Sequence, residues 1–470
     1  MTTEDSSIPF SAAERESFLD AIARHRSAAW RVTAASGVTL AAAALVVALL
    51  SAPLWYAGFA LIADLANLVV PTRNLLGDFM VYATQWQDSA ASPGAARWIA
   101  WSGIAALPGA VVMGCVAFTL KRAISILAMH ESAALGGRVP HELTLEEQRL
   151  RNVIAEMSIA AGISQPDVLI VEGGGYGAGI FGTDQRPIIV ISRALLADLD
   201  RAELQGVAAH LVGSIAQGDL AIGRRAALTL AFFNLMSRLA LVLNEPGAVK
   251  ALARTFGGLI LPTPARLEYV AAAVGDSFAS ASRQEQSTQP ENWKHYAKFV
   301  IVGPVVMLGF FGGIVSLLVF GPLLSLAWRQ RKYMADATAV RLTRDPDTLA
   351  SALEKMSAHG GGSPLGKWTA HLAVAAGAGS RSMMTGSFLP MLPSADQRLR
   401  ALRKLGATLT LPTQSMPLKH RMIMAALLAA LGVLTTMLLP LLVYVSMALS
   451  MLFLGLPLSI VHMLLRWIGH

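Results

Sequence analysis

The chain has 470 residues, of which 54% are hydrophobic and 14% charged, and its mean hydropathy is +0.52. A soluble domain carries about a quarter charged residues, so an ordinary soluble enzyme is disfavoured and the bilayer is the first expectation. The single cysteine, Cys115, excludes an intramolecular disulfide and any multi-thiolate zinc or iron–sulfur site within one chain, and a net charge of +8 without a basic arm assigns the cations to loops facing anionic lipid rather than to nucleic acid.

Residues 1–29 are expected to form a cytoplasmic amphipathic segment, with Phe10, Phe18, Leu19 and Ile22 spaced as an apolar helical stripe. It is not a signal peptide, because its start is acidic and the first apolar run begins late and is too long. Residues 30–123 read as a transmembrane hairpin: 32–63 and 98–120 contain no charge, and basic residues flank it outside, Lys121 and Arg122 among them. Residues 124–225 have the composition of a soluble domain, with an acidic helix at 143–161, a strand at 167–172, a glycine loop, a strand at 187–192 and a helix at about 200–216. This is read as a helix plus a β-hairpin.

Residues 226–328 are expected to be membrane-associated, with a clear span at 299–328 kinked near Pro304, Pro322 and Gly312-Gly313. Parity of crossings requires another one, for which 226–243 is the candidate, although Arg238 interrupts it. Residues 329–421 hold 14 Lys and Arg against five acids, a cytoplasmic bias. The 44 uncharged residues at 422–465 would make a helix of about 66 Å, too long for one span and right for a C-terminal hairpin within 422–470. Trp55, Trp98, Trp101, Trp328 and Trp467 fit an interfacial belt, the methionines at 416–451 fit helix packing or lipid contact, and Gly360-Gly361-Gly362 fits a linker.

The segment Asp200-Arg-Ala-Glu-Leu-Gln-Gly-Val-Ala-Ala-His210-Leu-Val-Gly-Ser214-Ile-Ala-Gln-Gly-Asp219 resembles the active-site helix of the HtpX-like and CAAX-prenyl-protease-like membrane zinc metallopeptidases. Arg331-Lys-Tyr-Met-Ala-Asp336, Leu349-Ala-Ser-Ala-Leu-Glu-Lys355, Thr369-Ala-His-Leu372 and Leu392-Pro393 with Gln397-Arg-Leu-Arg-Ala-Leu402 follow in the family's order, so the resemblance covers roughly residues 15–405. It implies a mainly α protein, with polytopic membrane helices and a cytoplasmic zincin-like α+β peptidase domain containing a small β-hairpin or sheet. The domain would be split into 124–225 and 329–421.

In H-E-x-x-H, two histidines at i and i+4 bind zinc from one helical face and the glutamate takes a proton from metal-bound water. The resemblance implies a third ligand from E-x-x-A-D on a later helix. Here the ligand positions hold His210, Ser214 and Lys332, and the general-base position holds Leu211. One imidazole does not hold zinc where sites use three or four protein ligands, and an ammonium puts like charge at the metal position. Two further family positions differ: Gly177-Ala178-Gly179 stands where Asn-Ala-Phe is usual, and Leu392 where His precedes Pro. Asp336 and Arg398 match, and with Asp219 they complete the cleft candidates.

His210 is read as a core histidine bonded to a neighbour ahead of a relic ligand, and a His210–Ser214 nucleophile pair lacks an orienting acid and an oxyanion hole. Lys332 and Asp336 are either an exposed helix pair or a buried cation filling the metal's place and bonding Asp336 or His210. Gly173–Gly179 is read as a flexible hairpin loop, since neither a helix nor Gly-Lys-Ser/Thr follows as phosphate binding requires. The expected protein is thus an inner-membrane, multi-pass pseudopeptidase without zinc. Its expected partners are the lipid bilayer and a membrane or unfolded polypeptide segment, or an active peptidase. The alternatives are a zinc metalloendopeptidase using Asp219 or Asp336 with His210, and a transporter or structural component, which the uncharged runs do not favour.

Overall fold

A computed structural model describes residues 16–38, 95–134, 136–141, 143–172, 175–238, 248–280, 320–359, 369–375 and 391–408, with isolated positions 41, 44, 48 and 463. Most of 32–63, residues 299–319, the glycines at 360–362, the methionines at 416–451 and the C-terminal run lie outside the described residues, as do Trp55, Trp467 and the side chains of Trp98 and Trp101. The described helices are α1 (residues 18–38), α2 (Ala95–Ala134), α3 (Leu145–Ala161), α4 (Arg193–Asp198), α5 (Arg201–Ala216), α6 (Asp219–Ser237), α7 (Ala248–Ile260), α8 (Pro264–Ser280), α9 (Gly321–Thr343), α10 (Pro346–Ala358) and α11 (Ala395–Lys404). Three strands, β1 (Asp167–Val171), β2 (Ala178–Gly182) and β3 (Pro187–Ser192), form one small mixed sheet in the order β1-β3-β2.

The sheet corrects the expected hairpin. β1 and β3 are parallel, with Asp167 opposite Ile188 and Val171 opposite Ser192, and the antiparallel partner of β3 is β2, with Ala178 opposite Ile191 and Gly182 opposite Pro187. The physical reason is the connection: Thr183 and Arg186 exchange backbone hydrogen bonds of 3.1 Å, closing a two-residue turn at Asp184-Gln185, and only antiparallel neighbours can be joined so tightly. Ala178 and Gly179, expected in a flexible loop, are therefore strand residues, and Ala178, Ile180 and Phe181 are buried. Gly177 is fixed too, its N–H donating to Ser192 Oγ at 3.0 Å and its carbonyl accepting from Ser192 N.

The central helix is α5, packed on α3, α9 and α10 and touching β2. Its start is set locally: Asp200 accepts from Glu203 N at 2.8 Å while Glu203 Oε2 accepts from Asp200 N at 2.9 Å, a reciprocal cap. The same Glu203 carboxylate takes Lys355 Nζ at 2.7 Å and Ser351 Oγ at 2.5 Å, so the cap also fastens α5 to α10.

One helix among the described residues is long and apolar enough to cross a membrane, at Gly109–Ala128 within α2. It overlaps the uncharged run at 98–120, but α2 continues past Lys121 and Arg122 to Ala134 and packs against α6, α7 and α8. The described part of the 226–243 candidate belongs to α6, where Ala226, Ala227, Leu230, Ala231, Phe233, Leu235 and Met236 are buried in the protein, and Arg238 donates to the Ala273 carbonyl of α8 at 3.3 Å. Trp328 is no interfacial residue: it is 2% exposed and its indole N–H donates to the His371 carbonyl at 2.7 Å.

The α5–α10 crossing is close because residue 206 has no side chain; a Cβ there would stand 2.6 Å from Leu349 N and 2.8 Å from Thr348 C. Both atoms are backbone and cannot move alone. Gly206→Ala is expected to lower stability by about 1–3 kcal/mol despite alanine's better helix propensity. Chemical unfolding of the detergent-solubilised protein measures this, and an unchanged midpoint would contradict the close crossing.

Candidate active-site region

The i,i+4 spacing that puts His210 and Ser214 on one face of α5 points both at α9, whose Lys332 and Asp336 are likewise one turn apart. All four side chains are buried, with Leu211 beside them in the hydrophobic core. The exposed-pair expectation for Lys332 and Asp336 is thereby overturned: each is 1% exposed, because the face of α9 that bears them is the one packed on α5.

The first cluster centres on Asp336. Arg398 of α11 reaches it with two donors, Nη2 to Oδ1 at 2.5 Å and Nε to Oδ2 at 2.8 Å, and His210 Nδ1 lies 2.8 Å from Oδ1. Burial opposes ionisation of Asp336, but the charge and hydrogen bonds of Arg398, with that of His210, outweigh it and hold the carboxyl well below the usual carboxylate range. Burial pushes His210 down to about 4, against the raising effect of Asp336 and with the help of Arg398 and Lys332, so the imidazole is neutral at pH 7. A neutral imidazole beside a carboxylate carries its proton on the facing nitrogen, so Nδ1–H donates to Asp336. The 3.4 Å approach of Arg398 Nη2 to Nδ1 then sets donor against donor and is a contact, not a hydrogen bond. Nε2 keeps its lone pair, buried and without a hydrogen-bond partner among the described residues.

The second cluster lies one turn further along α5. Ser214 Oγ donates to Asp219 Oδ2, and Arg331 donates through Nε to Asp219 Oδ1 and through Nη2 to the Gln217 carbonyl at 2.6 Å. Gln217 in turn donates to Met334 O and Thr338 Oγ1 on α9. Lys332 stands between the clusters. Burial lowers it to about 8, Asp219 and Asp336 pull it back up, and Arg398 and Arg331 push it further down. Among the described residues no hydrogen bond joins it to Asp336 or His210, so the expected bond to either is not formed and its coupling to both aspartates is through space.

These donors do not fit zinc. The imidazole nitrogen of His210 is available, but Ser214 is engaged with Asp219, both aspartates are committed to guanidinium groups, and Lys332 brings positive charge. Among the described residues no three His, Cys, Asp or Glu side chains converge as a metal site. Leu211 offers no proton acceptor. The structure brings His210, Ser214, Lys332, Asp336, Asp219 and Arg398 together in one buried region. Leu392 is in the core next to α11, and Gly177, Ala178 and Gly179 belong to the sheet edge and its approach. Arg331 and Gln217 were missed; no local pattern marks them, since their partners are met only through the fold. A cavity of about 620 Å³ opens beside α9, its lining including Glu16, Arg24, His25, Tyr333, Asp336 and Arg400.

Residues 144–406, more than half of the chain, match the model of peptidase family M48. The chain belongs to peptidase family M48. Among curated relatives, it is 31% identical over 212 residues to a protease HtpX homolog of Dictyoglomus thermophilum, covering 44% of this chain and 54% of that protein. It is 32% identical over 212 residues to the homolog of Dictyoglomus turgidum, with 44% and 53% covered, and 30% identical over 223 residues to that of Listeria monocytogenes serotype 4a, with 46% and 60% covered. The chain thus spans about half the length of the curated relatives it matches. No solved structure matches it.

Two outcomes follow from the M48 domain's buried charges. Arg398→Ala leaves the Asp336 carboxylate buried without its cation and should cost about 3–5 kcal/mol, read as loss of the unfolding midpoint. For Lys332 the folded-state value, about 8, lies below the ordinary 10.5, so between these pH values the unfolded chain binds more protons and stability rises with pH. Lys332→Met should abolish that rise and raise stability at pH 7 by up to roughly 3 kcal/mol. Melting temperatures of both proteins from pH 7 to 10.5 decide it; parallel curves would refute the buried ammonium.

Proposed function

We propose that this M48 member is a membrane-anchored pseudopeptidase that binds without zinc and without cleaving. What carries the reading is the state of the four positions where the family's motif would place metal ligands and base: one imidazole, a hydroxyl bonded to Asp219, an ammonium and a leucine. The alternative of substitute ligands meets a specific obstacle. Asp219 and Asp336 each hold a guanidinium at hydrogen-bond distance, and a metal would have to displace Arg331 or Arg398 from a buried carboxylate.

In this reading the soluble halves, 124–225 and 329–421, face the cytoplasm at the inner membrane, held by hairpins at 30–123 and 422–470 and by segments within 226–328. The work is to hold a membrane or unfolded polypeptide segment, or to regulate an active peptidase. The cavity beside Asp336 is large enough for several side chains and offers such a segment both rings and cations.

Elemental analysis of the detergent-purified protein tests this. Less than stoichiometric zinc is expected, and one tightly bound zinc per chain would overturn the proposal. Restoring Leu211→Glu, Ser214→His and Lys332→Glu together is expected to bring zinc to one per chain, showing that the ligands, not the scaffold, set the difference.

A further inference from the structure

The geometry points to the tip of the α7–α8 hairpin, Ile260-Leu261-Pro262, as a second lipid contact, dipping into the apolar boundary of the bilayer beside α2. This rests on the reading of α2 as a membrane span.

The hairpin lies along α2 with a defined direction. At its tip, Thr119 Oγ1 of α2 donates to the Leu259 carbonyl at 2.8 Å, a buried bond. Nearer its base, a Cβ on Gly275 would stand 3.3 Å from the Leu127 side chain. The tip therefore points toward the apolar N-terminal part of α2 and the base toward its other end. The two arms are closely apposed, since a Cβ on Gly258 would meet Val270 Cγ2 at 2.8 Å. The apolar run of α2 ends at Leu120, and Lys121 and Arg122, both exposed, mark where its surface becomes charged. With the span taken as the uncharged run at 98–120, Thr119 is one residue from its end and two from Lys121, about 3 Å along the axis, so the tip is held at the level where lipid headgroups give way to acyl chains.

The surface chemistry at that level agrees. Leu261 is 64% exposed and Ile260 40%, a consecutive apolar pair followed by Pro262, and α2 likewise exposes Leu107, Val111 and Phe118. Around them stand cations. Arg266 folds its guanidinium back to the Leu261 carbonyl at 3.3 Å, and Arg122 lies over the Phe118 ring at 4.8 Å. Arg254 and Lys250 follow along α7 at about two and three turns from the tip. Within 248–280 these three cations face two acids, Glu268 and Asp276. Apolar side chains with Arg beside them, whose stems lie on apolar surface, are the arrangement of an interfacial element on anionic lipid. Tyr269, partly exposed on α8, suits the same layer. The consequence is positional. α8 packs on α6, which begins at Asp219, so a hairpin held in the boundary fixes the charged site's height over the membrane.

Nitroxide labels on single cysteines test this in the full chain, with Cys115→Ala as background and the protein reconstituted in phosphatidylcholine–phosphatidylglycerol vesicles. Labels at Leu261→Cys, Val111→Cys and Lys250→Cys are compared for collision with oxygen, which concentrates in lipid, and with a water-soluble nickel chelate. Oxygen collisions should dominate at 261 and 111 and the chelate at 250. Chelate dominance at 261 with oxygen dominance at 111 would overturn the hairpin contact and leave the α2 span standing. Chelate dominance at 111 would overturn the span and with it this inference. A label at 261 shielded from both agents would also overturn it, because protein rather than lipid would then cover the tip.

Discussion

The architecture around the site depends on one buried anion, the carboxylate of Asp336. Removing a carboxylate from water costs several kcal/mol, and it is tolerated here because a bidentate guanidinium and an imidazole N–H saturate its oxygens. Those partners come from α11 and α5, and Asp336 itself from α9. Three helices that are distant in sequence must therefore arrive together for any of them to bury its polar side chain. This favours one arrangement of the domain over compact alternatives that would leave a charge unmatched.

Burial explains which group yields. The region gathers three cations, Arg331, Lys332 and Arg398, around two anions, Asp219 and Asp336. Burial disfavours the ammonium of Lys332, and the two aspartates offset that only in part. Arginine does not give up a proton in a protein, whereas a lysine ammonium does so when desolvated, so the adjustment falls on Lys332. A divalent metal at this place would add two positive charges to a set that is already cation-rich. The M48 scaffold is here organised by its side-chain charges.

Helix signals were legible where the cause is local. Asp200 with Glu203, and Ser394 with Gln397, are capping pairs visible as letters, and the helix that Asp200 starts lies where spacing puts it. The grouping of His210, Ser214, Lys332 and Asp336 could be inferred from motif order. The rest required the fold. A run rich in glycine reads as a loop, and only the presence of β3 at the right distance turns Ala178–Gly182 into a strand. Trp328 sits at the end of an apolar run and looks interfacial until His371 supplies its acceptor. The burial of Lys332 and the pairing of Arg331 with Asp219 have no sequence signature, because a surface lysine and a buried one are the same letter, and what separates them is the face of α9 that meets α5.

The backbone of Val374 is held on both sides. Its N–H donates to the Ala178 carbonyl of β2 at 2.8 Å, and its carbonyl accepts from Arg398 Nη1. The sheet edge and the buried guanidinium therefore act in series through one residue, whose two flanking peptide planes meet at its Cα. A strand or peptide that displaced Val374 from β2 would shift its Cα and the peptide plane that follows, misalign the bond to Arg398 and loosen its hold on Asp336, and with it the orientation of the His210 ring. An event at the rim of the cleft would thus reach its floor through the backbone of one residue and a single guanidinium.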